Sequence, residues 1–299
     1  LILFLLKYTF TIIKPKYARF FVKCLSFLIG GVDNSWLYTD NHGTWIGKNI
    51  RSDKEDRIVK SDIVILWVPG GGFRVNLGKL YYSTFVHWLS QMEIQNIKCT
   101  ILVANYRLSP EYKYPTATED VAKTHEWLLN TMNIPNHNII WGADDAGASI
   151  VLDALYKRLK VDQVPRPAGL ILSSPYIGMD PGGKSWQDNY GIDIINEKSV
   201  EMMENTYINQ KGSNFDSDNE DDDDDDNNEE PFSYLDKSAQ LSKYLPASVL
   251  IEIGEQEVLF DDAELLVKMI RDSKTHDSDS HTTATLIKSP NQKHLWTLL

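Results

Sequence analysis

Two cysteines in 299 residues, Cys24 and Cys99, are too few for a disulfide framework and stand in no CxxC or Cys/His spacing. They read as two buried or half-buried thiols, and neither a stapled scaffold nor a metal finger is expected. A surplus of positive charge is also missing: 30 Lys and Arg face 42 Asp and Glu, a formal net charge of −12. No basic patch or nucleic-acid module stands out, so nucleic acid is excluded as an expected partner. The acidity itself is local. Residues 216–230 hold 11 acidic groups and no basic one, which leaves 31 acids against 30 bases in the rest of the chain. The body is therefore near neutral, and its surface charge indicates no particular partner. No internal repeat and no Asn-x-Ser/Thr sequon occurs.

A long apolar run is scarce too. The chain opens on LILFLLKYTFTII, only 13 residues before Lys14 and with Lys7 among them, against the roughly 20 that a membrane-spanning helix needs. Residues 1–30 are read as a truncated membrane anchor followed by a basic amphipathic helix, with Lys14, Lys16, Arg19 and Lys23 among Phe20, Phe21, Leu25, Phe27 and Leu28. The other reading is an N-terminal helix packed on the domain. The chain stops five residues after His294, which also reads as a truncation.

Apolar material for a core is plentiful, with 42% hydrophobic residues and 8 Trp, 14 Tyr and 10 Phe. From about residue 60, short continuous apolar runs alternate with segments of helical spacing. Asp62–Val68, Lys98–Asn105, Asn138–Trp141, Gly169–Ser173, Ser248–Ile253 and Thr283–Lys288 read as buried strands; Leu80–Ile94, Ala117–Asn130, Ala146–Lys160 and Asp261–Asp272 read as helices. Near-continuous Val/Ile/Leu without alternation fits a parallel sheet covered on both faces, so the class is α/β with a mainly parallel central sheet. A segment read as helical follows Ser185. Six consecutive aspartates cannot bury enough apolar area to offset the entropy of ordering, so 213–230 is read as a disordered surface insertion within one domain spanning 31–299.

Three features place chemistry at strand ends. The first strand runs into Pro69-Gly70-Gly71-Gly72-Phe73, where glycines let backbone N–H groups face a concave site and stabilise an oxyanion. The third runs through Gly142-Ala143-Asp144-Asp145-Ala146-Gly147 into a helix, and small residues on both sides of Asp145 suit a sharp turn that projects it into the site, with the Ala146 N–H at the helix N-terminus as a further oxyanion donor. Glu257 follows the penultimate strand and His294 the last, giving the chain order nucleophile, acid, histidine. This set calls for no cofactor and no metal.

The segment Tyr106-Arg107-Leu108-Ser109-Pro110-Glu111, followed by Tyr114-Pro115 and Asp120, resembles almost residue for residue a signature of the hormone-sensitive-lipase group of α/β-hydrolases, and within it of the fungal steryl acetyl hydrolases. Pro69-Gly70-Gly71-Gly72 is similar to the family's HGGG, Ala143-Asp144-Asp145-Ala146-Gly147 to its GDSAG, and Glu257-Val258-Leu259 with Asp261-Asp262 to its acid motif. The resemblance implies an α/β-hydrolase fold, an oxyanion hole made by Gly71, Gly72 and Ala146, a catalytic base at His294 oriented by Glu257, a small apolar ester or sterol-like ligand and, together with the apolar start, residence at the endoplasmic reticulum membrane, with the cytoplasm as the alternative. Pro69 replaces a histidine, Ala143 a glycine, and Asp145 the nucleophilic serine.

That last replacement changes the chemistry. Attack by aspartate on an ester would give a mixed anhydride with a poor leaving group, and a negative charge beside the oxyanion hole opposes the charge that the hole is built for. Asp145 beside His294 is expected to pair with it and hold it as imidazolium. Three functions remain open: an ester-hydrolase relative with activity lost or greatly reduced, a non-catalytic lipid- or sterol-binding protein, and an aspartate-nucleophile hydrolase of epoxides or alkyl halides.

Overall fold

The computed structural model describes residues 5–7, 9, 13–29, 31–161, 165–178, 183–208, 241–273 and 282–299; the acidic segment 213–230 lies outside them. Eight strands form one sheet in the order β1-β2-β4-β3-β5-β6-β7-β8. The six strands expected from the apolar runs are β3 (Ile63–Val68), β4 (Cys99–Ala104), β5 (Ile139–Asp145), β6 (Gly169–Pro175), β7 (Ser248–Gly254) and β8 (Thr283–Ser289), all mutually parallel. Two short strands at one edge, β1 (Leu37–Thr39) and β2 (Gly43–Ile46), pair antiparallel and extend the sheet beyond β4. At three and four residues they are too short to show a period.

Burial on both faces explains the unbroken apolar runs. Along β3, Val64, Leu66 and Val68 point into one cluster with Ala117, Val121 and Leu128 of helix α4 (Thr116–Asn130) and Ala148, Val151 and Leu155 of α5 (Ala146–Val161). Ile65 and Trp67 point the other way, to Phe85 and Leu89 of α3 (Tyr82–Ile94) and to Ala18, Val22 and Leu25 of α1 (Pro15–Ile29). Helix α2 (Lys54–Val59) precedes β3. Trp67 lies opposite Gly142 of β5, where an added Cβ would fall 2.3 Å from the indole ring. That glycine leaves room for the ring.

The segment read as helical after Ser185 contains two helices, α6 (Lys184–Asn189) and α7 (Glu197–Tyr207), separated by an irregular stretch carrying Asp193. The second begins in a capping box between Asn196 and Ser199, and this fixes the break. Before β7 lies the single turn α8 (Leu241–Tyr244), and between β7 and β8 lies α9 (Phe260–Ser273).

Helix α1 is docked rather than free. Its buried face is Ala18, Val22 and Leu25, and Arg19 hydrogen-bonds the carbonyls of Arg74 (2.8 Å) and Ser109 (2.6 Å) and pairs with Glu111. The opposite face leaves Tyr17, Phe20, Phe27 and Leu28 exposed, Phe27 at 89%, beside Lys16 and Lys23. No helix among the described residues is long and apolar enough to cross a membrane.

Candidate active site

The glycine loop after β3 is shaped by its own backbone. Gly71 has φ +130°, and a Cβ there would lie 2.1 Å from the Val75 carbonyl oxygen; Gly72 has φ +58°. The tyrosine–arginine segment braces this loop from behind. Tyr106 donates to the Pro69 carbonyl, the Ser109 N–H donates to the Phe73 carbonyl at 2.9 Å, and Asn76 bonds the Ala104 carbonyl. Arg107 is itself fixed by a two-pronged contact with Asp120, closest at 2.7 Å. The residues with the most distinctive sequence signature therefore serve the loop whose N–H groups face the site.

Strand β5 runs to Asp145, further than its apolar run indicates, and gives way at once to α5. Asp145 takes φ +45°, uncommon for a residue with a Cβ, and the sheet register shifts between Asp144 and Asp145. This is the strained apex that the small neighbours foretell. Gly147 allows it: a Cβ there would come 2.2 Å from the Val68 carbonyl oxygen, because α5 starts hard against β3. Gly147→Ala is expected to lower stability by about 3 kcal/mol through overpacking against backbone that cannot move aside, as read from urea unfolding; a loss below about 0.5 kcal/mol would contradict this packing.

The loops after β7 and β8 bring the other two residues in. Glu257 is fully buried; its Oε1 accepts from the Gly254 N–H (2.6 Å) and the Ser174 hydroxyl (2.8 Å), and its Oε2 lies 3.0 Å from Nδ1 of His294. On the far side of the ring, Nε2 lies 3.5 Å from Oδ1 of Asp145. The imidazole is thus held between two carboxylates. Burial alone would depress its pKa, but the bonds to Asp145 and Glu257 and their charges outweigh burial and hold His294 well above its ordinary value. Burial likewise pushes Asp145 up, yet His294 and the N–H groups of Gly71 and Ala146 carry it below the usual carboxylate range. The imidazolium expected from the sequence has a structural basis in this pairing.

The second oxygen of Asp145 corrects the expectation that its charge merely lies beside the oxyanion hole. Oδ2 accepts from the N–H of Gly71 at 2.9 Å and of Gly72 at 3.1 Å. Gly71 and Gly72, two of the three expected donors, thus meet on one oxygen of the chain itself, and the Ala146 N–H also bonds the Asp145 carboxylate. As it stands, the N–H groups of Gly71 and Gly72 are taken by Asp145, and the two carboxylates beside His294 favour its protonated form.

Three buried groups escaped the sequence reading. Asp144 accepts from Trp67 Nε1 (2.8 Å), Tyr81 (2.8 Å) and the Gly70 N–H (3.0 Å). Burial, with the Asp145 charge adding, raises its pKa to about 7 against those three bonds. Ser174, at φ +47°, bonds Glu257 and receives the Leu295 N–H. Asp193 accepts from the N–H groups of Val258 and His294. A strand ending in two acids marks Asp144, but nothing local in the sequence marks Ser174 or Asp193. Among the described residues no cluster of His, Cys, Asp and Glu is arranged to hold a metal ion.

A family model described as the alpha/beta hydrolase fold matches residues 65–297. An esterase of Acinetobacter venetianus is 27% identical over 201 residues, 67% of this chain and 59% of its own length. A Schizosaccharomyces pombe protein whose name describes it, provisionally, as a steryl acetyl hydrolase is 26% identical over 181 residues, 55% of this chain and 44% of its own. The chain thus spans about half the length of these relatives. A crystal structure of an esterase from the bacterial hormone-sensitive lipase family superposes with a TM-score of 0.72 at 21% identity, covering 98% of this chain and 89% of that one.

Proposed function

Because the chain belongs to the α/β-hydrolase fold family, we propose that it is an ester-hydrolase relative of the hormone-sensitive-lipase type whose site is silenced by Asp145 at the position of the nucleophilic serine. One observation carries this reading: the Asp145 carboxylate fills the oxyanion donors with one oxygen and pairs with His294 through the other. In this geometry it resembles a carboxylate product that never leaves. A serine route needs a hydroxyl that the histidine can deprotonate and a hole that can receive the carbonyl oxygen; Asp145 supplies neither. The ligand class that goes with this lineage is a small apolar ester such as a sterol acetate. The native protein is expected to show no turnover of p-nitrophenyl acetate above the uncatalysed rate, and clear native turnover would sink the proposal.

The aspartate-nucleophile reading keeps one supporting observation. Oδ1 of Asp145 accepts none of the loop N–H groups that hold Oδ2 and faces the His294 ring. Attack of Oδ1 on an epoxide carbon would form an alkyl ester on Asp145 and break that carbon's bond to the epoxide oxygen, the His294 Nε2 proton passing to the resulting alkoxide; the neutral ring could then activate water against the ester. Incubation with several epoxides and intact-mass analysis tests it, and absence of any adduct on Asp145 removes it.

The exposed face of α1 belongs to the same proposal as a contact with anionic lipid at the endoplasmic reticulum membrane. Tyr17, Phe20, Phe27 and Leu28 would enter the headgroup boundary, with Lys16 and Lys23 meeting phosphates. Phe27→Glu with Leu28→Glu is expected to cut sedimentation with phosphatidylserine vesicles at least tenfold; unchanged sedimentation would exclude this face as the contact.

A further inference from the structure

The irregular stretch between α6 and α7 does more than link two helices. Asp193 is fully buried, and the donors recorded on its carboxylate among the described residues are backbone groups. They are the N–H groups of Ile194 (2.7 Å) and His294 (3.3 Å) on Oδ1, and of Val258 (2.9 Å) on Oδ2. Val258 follows Glu257 in the chain, and His294 is the partner of Glu257 across the site. A single side chain thus spans the acid loop and the histidine loop, which lie after different strands. The neighbouring contacts run the same way. Asn189 Nδ2 donates to the carbonyls of Glu255 (3.1 Å) and Glu257 (2.9 Å), and the Ser185 hydroxyl donates to the Val258 carbonyl (2.7 Å) and accepts from the Asp261 N–H. A buried carboxylate is costly unless its acceptor sites are filled. Here they are filled by the backbone of the two loops whose separation sets the Glu257–His294 distance.

We propose that Asp193 is a positioning residue that fixes the His294 ring against Glu257 by clamping both loops. Asp193 touches no reacting atom; it acts through the backbone on either side of the pair. The proposal rests on the reading of Glu257 and His294 as a working pair in a serine-bearing site, so its test includes a measurement that needs no activity. In the native protein, the proton shared between His294 Nδ1 and Glu257 is followed by proton NMR as a far-downfield signal. Asp193→Asn keeps one acceptor and loses the other; Asp193→Ala loses both. Both variants are expected to unfold cooperatively yet lose or broadly exchange that signal, Ala more than Asn.

In the Asp145→Ser background, where p-nitrophenyl acetate is the probe, Asp193→Ala is expected to lower kcat about tenfold to a hundredfold with KM unchanged, the range expected when a catalytic group is displaced by fractions of an ångström. A signal of native line width and exchange rate in both variants would overturn the proposal, as would an unchanged kcat in a serine background that is active. If both variants fail to fold, Asp193 is a structural group only and the proposal falls. Should Asp145→Ser prove inactive while the NMR signal is lost in Asp193→Ala, the clamp stands and the esterase reading fails, so the two failures are distinguishable.

Discussion

Asp145→Ser is expected to hydrolyse p-nitrophenyl acetate at least about a thousandfold faster than the native protein. The magnitude follows from charge. A like charge about 4 Å from a developing oxyanion costs roughly 4 kcal/mol at an effective dielectric of 20, and each 1.36 kcal/mol is a factor of about ten in rate. Here the conflict is more direct, since Oδ2 of Asp145 already occupies the N–H groups of Gly71 and Gly72 at 2.9 and 3.1 Å. Serine removes the carboxylate, frees both donors and places a hydroxyl at the apex beside His294. It also removes one of the two charges that hold the histidine as imidazolium, leaving Glu257 to orient a ring that can accept a proton. Asp145→Asn separates the parts: it removes charge but supplies no nucleophile, and it is expected to stay inactive. A folded Asp145→Ser protein no faster than native would show that silencing lies elsewhere and that the serine-position reading is wrong.

What could be seen in the sequence, and what could not, divides along one physical line. Runs such as Ile63–Val68 and Cys99–Ala104 are legible because burial on both faces demands apolar residues at every position. The apex at Asp145 and the loop at Gly71 are legible because their backbones admit only small neighbours, and the distances to Val68 and Val75 show why. Strands β1 and β2 are not, because three or four residues carry no period. Nor is Asp193, since its function depends on two loops that lie 65 and 101 residues away in the chain. The charge at Asp145 was readable, but its orientation was not. Whether a carboxylate opposes an oxyanion hole or fills it depends on a side-chain direction that follows from the positive φ of one residue and the exact path of the glycine loop.

His294→Ala is expected to lower the stability of the native protein by about 3–5 kcal/mol near pH 6, the loss typical when one partner of a buried ion pair is removed and the other charge remains. A catalytic histidine in a working site is under no such obligation, because active sites are arranged for reaction at some cost to stability. In this protein the ring lies between Asp145 and Glu257, all three buried, and its removal leaves two carboxylates facing each other. The pH dependence carries the sign. The folded pKa of His294 is raised, so its contribution is complete below the unfolded value of about 6.5 and is lost as pH rises through the folded value. Asp145 is lowered, so its contribution is present above about 3.9 and is lost as pH falls through the folded value. Glu257 works the other way. Burial, which His294 opposes, already raises its pKa, so its ionisation costs stability in the native protein, and without the ring that cost grows. The difference between native and His294→Ala should therefore be greatest between about pH 4 and 6.5 and shrink on either side. Chemical unfolding at pH 3, 6 and 9 measures it. A difference under about 1 kcal/mol at pH 6 would mean that the imidazole is neutral and that Asp145 does not hold it in a charged lock.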